Sequence, residues 1–156
     1  MRDLAECQGI ILSVRADHAR IRKSLLGVLN TFRTIDRRAR RVEIAVQMIE
    51  PLTSLLAQLR RHFAAEEEDG GSREEAVCCC PSLTREARRV DEEHPKLLAE
   101  LEAIVARLRE PNPHHGITAE DQCLLDQFAD RLQRHEATEY RILSLALGGA
   151  FGEDVI

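Results

Sequence analysis

Apolar residues recur along this chain at alternating steps of three and four, the period of one face of an α-helix. In the first segment Ile11, Val14, Ile21, Leu25, Val28, Phe32 and Ile35 follow that rule, and the one gap in the series falls on His18. His18 therefore shares the core-facing stripe. A second segment carries Met48, Leu52, Leu55 and Leu59, after which His62 and then Glu66 take the next stripe positions before EEDGGS ends the helix. Pro51 lies inside this pattern. A proline is tolerated in a first helical turn and kinks a longer helix, so the helix either starts near Pro51 or bends there.

A third helix, capped by Ser82 or Thr84, runs to about Arg109 and stops at EPNP. Its stripe is Leu83, Val90, Leu97, Leu101, Ile104 and Leu108, with His94 between Val90 and Leu97. Pro95 directly follows and predicts a kink at that level. A fourth helix starts at Thr118, where TAED reads as a weak capping box, and ends at Gly148-Gly149. Leu124 or Leu125, Phe128, Leu132, His135, Glu139, Ile142 and Leu145 form its buried face. Four amphipathic helices with short or moderate connections predict an all-α fold, an antiparallel up-down-up-down four-helix bundle.

The chain has 156 residues, 44% of them hydrophobic, which suits a single domain over 1–156 with a real core. Aromatics are only 3%, and the composition favours helix. The net charge of −5 comes from interleaved signs, and the basic run Arg37 to Arg41 is offset elsewhere, so nucleic acid is not an expected partner. No apolar run approaches the ~20 residues that span a bilayer. The N-terminal MRDLAECQGIILSV carries acids where a signal peptide is basic and then apolar, which makes a cytoplasmic location the expectation. Five Cys, three of them consecutive at Cys78, Cys79 and Cys80, make a poor disulfide framework and read as reduced thiols. The triple run is expected in the loop at the end of the bundle nearer the polar level, as an unremarkable or oxidation-prone stretch, with redox sensing, metal transfer inward or a bond to another chain as the alternatives. Cys7 and Cys123 are read as packing residues.

The heights of the polar positions bring them together. His62 stands eight residues from Gly70, His94 twelve from Ser82 and His135 thirteen from Gly148, or ~12, ~18 and ~20 Å along their helices. His18 belongs to the helix that starts at the same end. An unpaired buried carboxylate costs several kcal/mol, so four imidazoles and two carboxylates at one apolar level call for a cation. Imidazole nitrogen with carboxylate oxygen suits iron, with manganese and zinc as alternatives, and two carboxylates can bridge two metals about 3.5 to 4 Å apart. A metal-free hydrogen-bonded network is the plainer reading of the same positions. Asp17, Glu93 and Glu136 neighbour these residues but point ~100° away, which reads as a solvated face or, alternatively, as acids that support the imidazoles from behind. His114-His115 reads as a solvated loop, and Tyr140 points off the polar face.

The order His18, HFAAE (His62, Glu66), EEHP (His94) and HEATE (His135, Glu139), each on its own helix, resembles the hemerythrin-like HHE cation-binding domain over almost the whole chain. The resemblance implies a four-helix bundle with a non-haem di-iron centre. It further implies that Glu66 and Glu139 bridge the irons, with His18 and His62 on one metal and His94 and His135 on the other. Oxygen-carrying hemerythrins have a second His four residues from the first on the third helix, where this chain has Val90 and Leu98, and their last bridging acid is an Asp one residue further from its His. The pattern is closer to bacterial HHE proteins, including those implicated in iron-centre repair and in nitric oxide or peroxide responses. The implied function is binding or sensing of oxygen, nitric oxide or peroxide, with redox turnover of such a ligand or iron delivery as the alternative.

Overall fold

The computed structural model describes residues 4–110 and 116–148, and among them every regular element is helical. In chain order these are α1 (Leu4–Thr34), α2 (Arg41–Ile44), α3 (Glu50–Glu67), α4 (Ser72–Cys79), α5 (Thr84–Asp91), α6 (His94–Arg109) and α7 (Ala119–Leu147), with a π turn over Ala45–Ile49 and a 3₁₀ turn over Pro81–Leu83. His114, His115 and Gly149 lie outside the described residues. The long helices α1 and α6 each pack against both α3 and α7, an arrangement compatible with a four-helix bundle. No helix among the described residues is long and apolar enough to cross a membrane.

The stripes read from the sequence are the buried faces. Val14, Ile21, Leu25, Val28 and Phe32 of α1 are buried, as are Met48, Leu52, Leu55 and Leu59 in the second segment. The two prolines have different consequences. Pro51 sits in the first turn of α3, directly after the π turn, so the helical run from Arg41 continues through it with an irregular turn in place of a break. Pro95 stops the chain more firmly. It has no N–H for the carbonyl of Asp91, where α5 ends, and α6 restarts at His94 with Pro95 in its first turn.

Four sequence expectations are corrected. Neither Ser82 nor Thr84 caps the third segment with its side chain; a 3₁₀ turn leads into α5, and the Thr84 hydroxyl donates back to the Pro81 carbonyl at 2.7 Å. Leu145 is 57% exposed while Leu143 and Leu147 are buried, because the 3.6-residue period carries the buried face past position 145. Cys123 is exposed, so it is not a packing residue. The cysteine run is not in a loop: Cys78 and Cys79 finish α4 and Cys80 follows as its C-cap.

The start of α7 is as read. Thr118 accepts the Asp121 N–H at 3.2 Å, and the Asp121 carboxylate accepts the Thr118 N–H at 2.7 Å, which closes the capping box. The end of α3 depends on glycine. Gly70 has φ 79, and a Cβ on Gly71 would lie 2.6 Å from the Glu66 carbonyl oxygen. This tight reversal lays α4 back beside the end of α3.

The apolar core falls into two parts. The larger cluster includes Ile21, Leu59, Phe63, Leu97 and Leu132. The smaller joins Val14, Ala76, Leu83, Val90, Ile142 and Leu143. Along α1 the boundary between them is His18; at the start of α6 it is His94; on α7 it is His135 and Glu139. A polar layer is thus enclosed between two dry ones.

Candidate metal centre

All six side chains that the pattern singled out meet in that layer. His18, His62, Glu66 and Glu139 form one group whose ligand atoms lie within 4.8 Å of one another, and His94, His135 and Glu139 form a second, sharing Glu139. All six are buried, with Glu139 1% exposed.

Each imidazole turns its Nε2 inward. His18 Nε2 is 3.1 Å from Glu139 Oε2, His62 Nε2 is 3.3 Å from Glu66 Oε1, and His135 Nε2 is 3.2 Å from Glu139 Oε1. His94 Nε2 lies between the carboxylates, 3.5 Å from Glu66 Oε2 and 3.4 Å from Glu139 Oε1. The His18 and His62 Nε2 atoms are 3.0 Å apart. Phe63 fixes the rings from the apolar side. It stacks on His94 at 4.0 Å between centroids, 7° from parallel, and meets His135 edge-on at 5.4 Å.

The outward Nδ1 atoms have acidic partners. His135 Nδ1 is 2.8 Å from Glu93 Oε2, His94 Nδ1 contacts Glu67, and His62 Nδ1 is 3.6 Å from Asp17 Oδ2. A carboxylate only accepts, so Nδ1–H donates in the two hydrogen-bonded pairs and leaves the Nε2 lone pair facing the centre. The acids follow a rule. Asp17 adjoins His18 yet serves α3; Glu67 adjoins Glu66 yet serves α6; Glu93 adjoins His94 yet serves α7. Glu136 adjoins His135, is buried, accepts from Arg22 at 3.2 Å and interacts electrostatically with His18 on α1. The solvated-face reading is corrected for the buried Glu136, while Asp17 and Glu93 stay partly exposed and also take the supporting positions that the sequence left open. The ~100° offset from a ligand, at the seam between packed helices, turns a side chain toward the neighbouring helix.

Arg73 of α4 was not anticipated. It is 7% exposed, and its Nη2 donates to Glu139 Oε1 at 2.7 Å and to Glu66 Oε2 at 3.5 Å, while its Nε lies 2.9 Å from Asp91 Oδ1. Its only sequence signal was Gly70-Gly71, a pair permissive enough to return the chain to Glu66 within seven residues.

The electrostatics are those of crowded acids in a dry layer. Burial, reinforced by the charge of Glu139, pushes the Glu66 carboxyl up to about 10. Glu139 is buried too, but the imidazoles of His135, His18 and His94 set against it outweigh that and hold it well below the usual carboxylate range. Burial lowers His62 to about 4. For His135 burial works downward as well, yet Glu139 and Glu93 together raise it.

The donor set fits a cation. Glu66 Oε1, Glu139 Oε2 and His135 Nε2 are buried with no hydrogen-bond partner, although each is within 3.3 Å of another ligand atom. Lone pairs gathered around a common point without hydrogen-bond alignment are what coordination to a metal ion satisfies. The buried His/Glu layer can therefore hold metal. Tyr140 stays off this layer, under the Arg15 guanidinium. Comparisons with protein-family models, curated proteins and solved structures gave no match.

Proposed function

We propose that this chain is a hemerythrin-like, antiparallel up-down-up-down bundle whose His18, His62, Glu66, His94, His135 and Glu139 hold two iron ions, and that it binds or senses a small ligand such as oxygen, nitric oxide or peroxide. One observation carries the reading. Glu139 touches ring nitrogens of His18, His94 and His135, and Glu66 touches those of His62 and His94, so both carboxylates lie between a His18/His62 pair and a His94/His135 pair. Two carboxylates flanked by two imidazole pairs are the donors of a dinuclear site. The antiparallel arrangement is supported by α1 and α3: Asp17 faces His62 while Ser24, two turns on, meets Gln58, so one helix advances as the other recedes.

Iron held by these residues would supply exchangeable electrons and open coordination positions for the small ligand, since four imidazoles and two carboxylates would not saturate two such ions. The chain does the rest. Glu67 and Glu93 orient imidazoles, Phe63 holds two rings in place, and apolar layers pack above and below the centre. Access is provided by a cavity of about 1030 Å³ that runs from the exposed Glu68 and Asp69 to Glu66 and His94.

Arg73 favours a second reading, a metal-free polar network, because it neutralises part of the acid charge. One guanidinium still leaves Glu66 Oε1, Glu139 Oε2 and His135 Nε2 unpartnered, so the metal reading accounts for more atoms. The cavity favours the enzymatic variant, reduction of peroxide or nitric oxide or delivery of iron. The test is metal analysis of protein purified without chelators, with optical spectra in the presence and absence of oxygen. About two irons per chain and a ligand-dependent absorption are expected. Protein free of metal restores the network; repeated turnover with a reductant assigns the enzyme.

A further inference from the structure

A buried guanidinium beside a proposed metal pair needs an explanation of its own. Placed next to cations, it opposes their uptake by like-charge repulsion, so it weakens a site built only to store metal. A neutral donor would hold the carboxylates without that penalty. Arg73 is nevertheless placed with care: Gly70-Gly71 returns the chain so that α4 delivers it, and Asp91 takes its Nε side.

Its donors are incompletely used. Arginine offers five N–H groups in a planar fork. The contacts to Glu139 and Glu66 both run through Nη2, none of the described contacts uses Nη1, and Nε, though 2.9 Å from Asp91, has no aligned hydrogen bond. Arg73 also lines the cavity that reaches Glu66 and His94. Anything entering by that route meets spare donors on a fixed positive charge at the last step before the centre.

We infer that Arg73 is the docking residue for a small anionic ligand, of the hydroperoxide, azide or oxyanion class, which enters through the cavity between α3, α4, α5 and α6 and is hydrogen-bonded by the Arg73 fork while it occupies the centre. This rests on the dinuclear reading above and adds the ligand's charge to it. A buried charge-assisted hydrogen bond discriminates an anion from an uncharged diatomic, because only the anion repays the desolvation of both partners. Uncharged nitric oxide gains little from Arg73.

The experiment compares wild type, Arg73→Gln and Arg73→Lys, each loaded with iron and assayed for metal content and melting before use. Azide is titrated into the oxidised proteins and nitric oxide into the reduced ones, both followed optically. Arg73→Gln is expected to keep two metals and to bind azide on the order of tenfold to a hundredfold more weakly, with nitric oxide affinity unchanged. Arg73→Lys, which keeps the charge but loses the fork, should fall between. Wild-type azide affinity in a metal-loaded Arg73→Gln protein overturns the inference, and so does an equal loss of azide and nitric oxide, which would make Arg73 a structural prop. If Arg73→Gln does not fold, Arg73→Lys decides: azide binding equal to wild type overturns the inference, and a several-fold loss with nitric oxide unchanged supports it. A wild-type protein that takes up no metal defeats the dinuclear reading itself, a result distinct from failure in the variants.

Discussion

His135 on α7 and Glu93, the residue before α6, are joined by a 2.8 Å contact between Nδ1 and Oε2, although the carboxylate is half exposed and neither residue neighbours the other in sequence. The contact fixes which imidazole nitrogen carries the proton and aims the other at the Glu139 carboxylate. Acids in this position commonly change metal affinity more than they change folding. Glu93→Gln is expected to lower metal affinity about tenfold to a hundredfold with little change in the melting of the metal-free protein. Competition against a chromophoric chelator measures the first and calorimetry the second; unchanged affinity would show that packing alone orients His135.

The carboxylates between the two His pairs should be indispensable. Replacing Glu66 and Glu139 together with Ala removes the contacts to all four imidazoles around them, those of His18, His62, His94 and His135. Metal content should fall from about two ions per chain to near zero. The loaded wild type should also melt higher than its chelated form, because ligand at 100 times its Kd stabilises by about 2.7 kcal/mol. Undiminished metal in the double variant, or a chelated protein that melts no lower, would sink the assignment.

How far the sequence reveals this centre depends on the range of the interaction. His18, His62 and His135 were legible because a polar residue on a buried stripe interrupts a period that is local to its own helix. His94 was legible for the same reason, although the break before Pro95 was read as a kink, since whether a helix bends or restarts depends on packing around it. For Glu93 and Asp17 the choice between solvent and a supporting role stayed open, because the ~100° offset indicates a direction and not what stands there; the neighbouring helix decides that. Arg73 lies in a stretch with no clear apolar period, and its burial follows from the reversal at Gly70-Gly71 and from Asp91, a contact eighteen positions away. Such side chains carry no periodic signature in one sequence.

Asp121 gives a test of the fold that is independent of metal. It is buried at the start of α7. Burial alone would raise its pKa, but the Thr118 N–H and hydroxyl and the Arg107 guanidinium outweigh that and hold it below 3.8. A depressed carboxylate contributes stability that is complete above the unfolded pKa and lost as pH falls through the folded one. Asp121→Ala should cost about 1 kcal/mol at neutral pH, and the difference from wild type should shrink below about pH 4. Paired melting curves from pH 7 to pH 2 measure it. A difference that stays constant to pH 2 would place the stabilisation in packing and not in the charged cap.

Metal uptake should release protons, and the amount follows from the state of each ligand. Glu66, pushed up to about 10, is protonated at pH 7, whereas a coordinating carboxylate is ionised, so binding must expel its proton. Glu139 is held far below the usual range and has none to give, and His62, at about 4, is already neutral. Glu139 and Glu93 raise His135 against the opposing effect of burial, so it takes up its proton at higher pH than a free imidazole and adds to the release once it is protonated. Release should therefore be at least about one proton per chain at neutral pH, from Glu66, and increase as the solution is acidified, with affinity falling in the same direction. Calorimetric titration of the metal in buffers of different ionisation enthalpy counts the protons directly. Glu66→Gln should bind metal more weakly and release about one proton fewer. A wild-type count of zero between pH 7 and pH 9 would mean that Glu66 is already ionised, with Arg73 and not a proton neutralising the carboxylate pair.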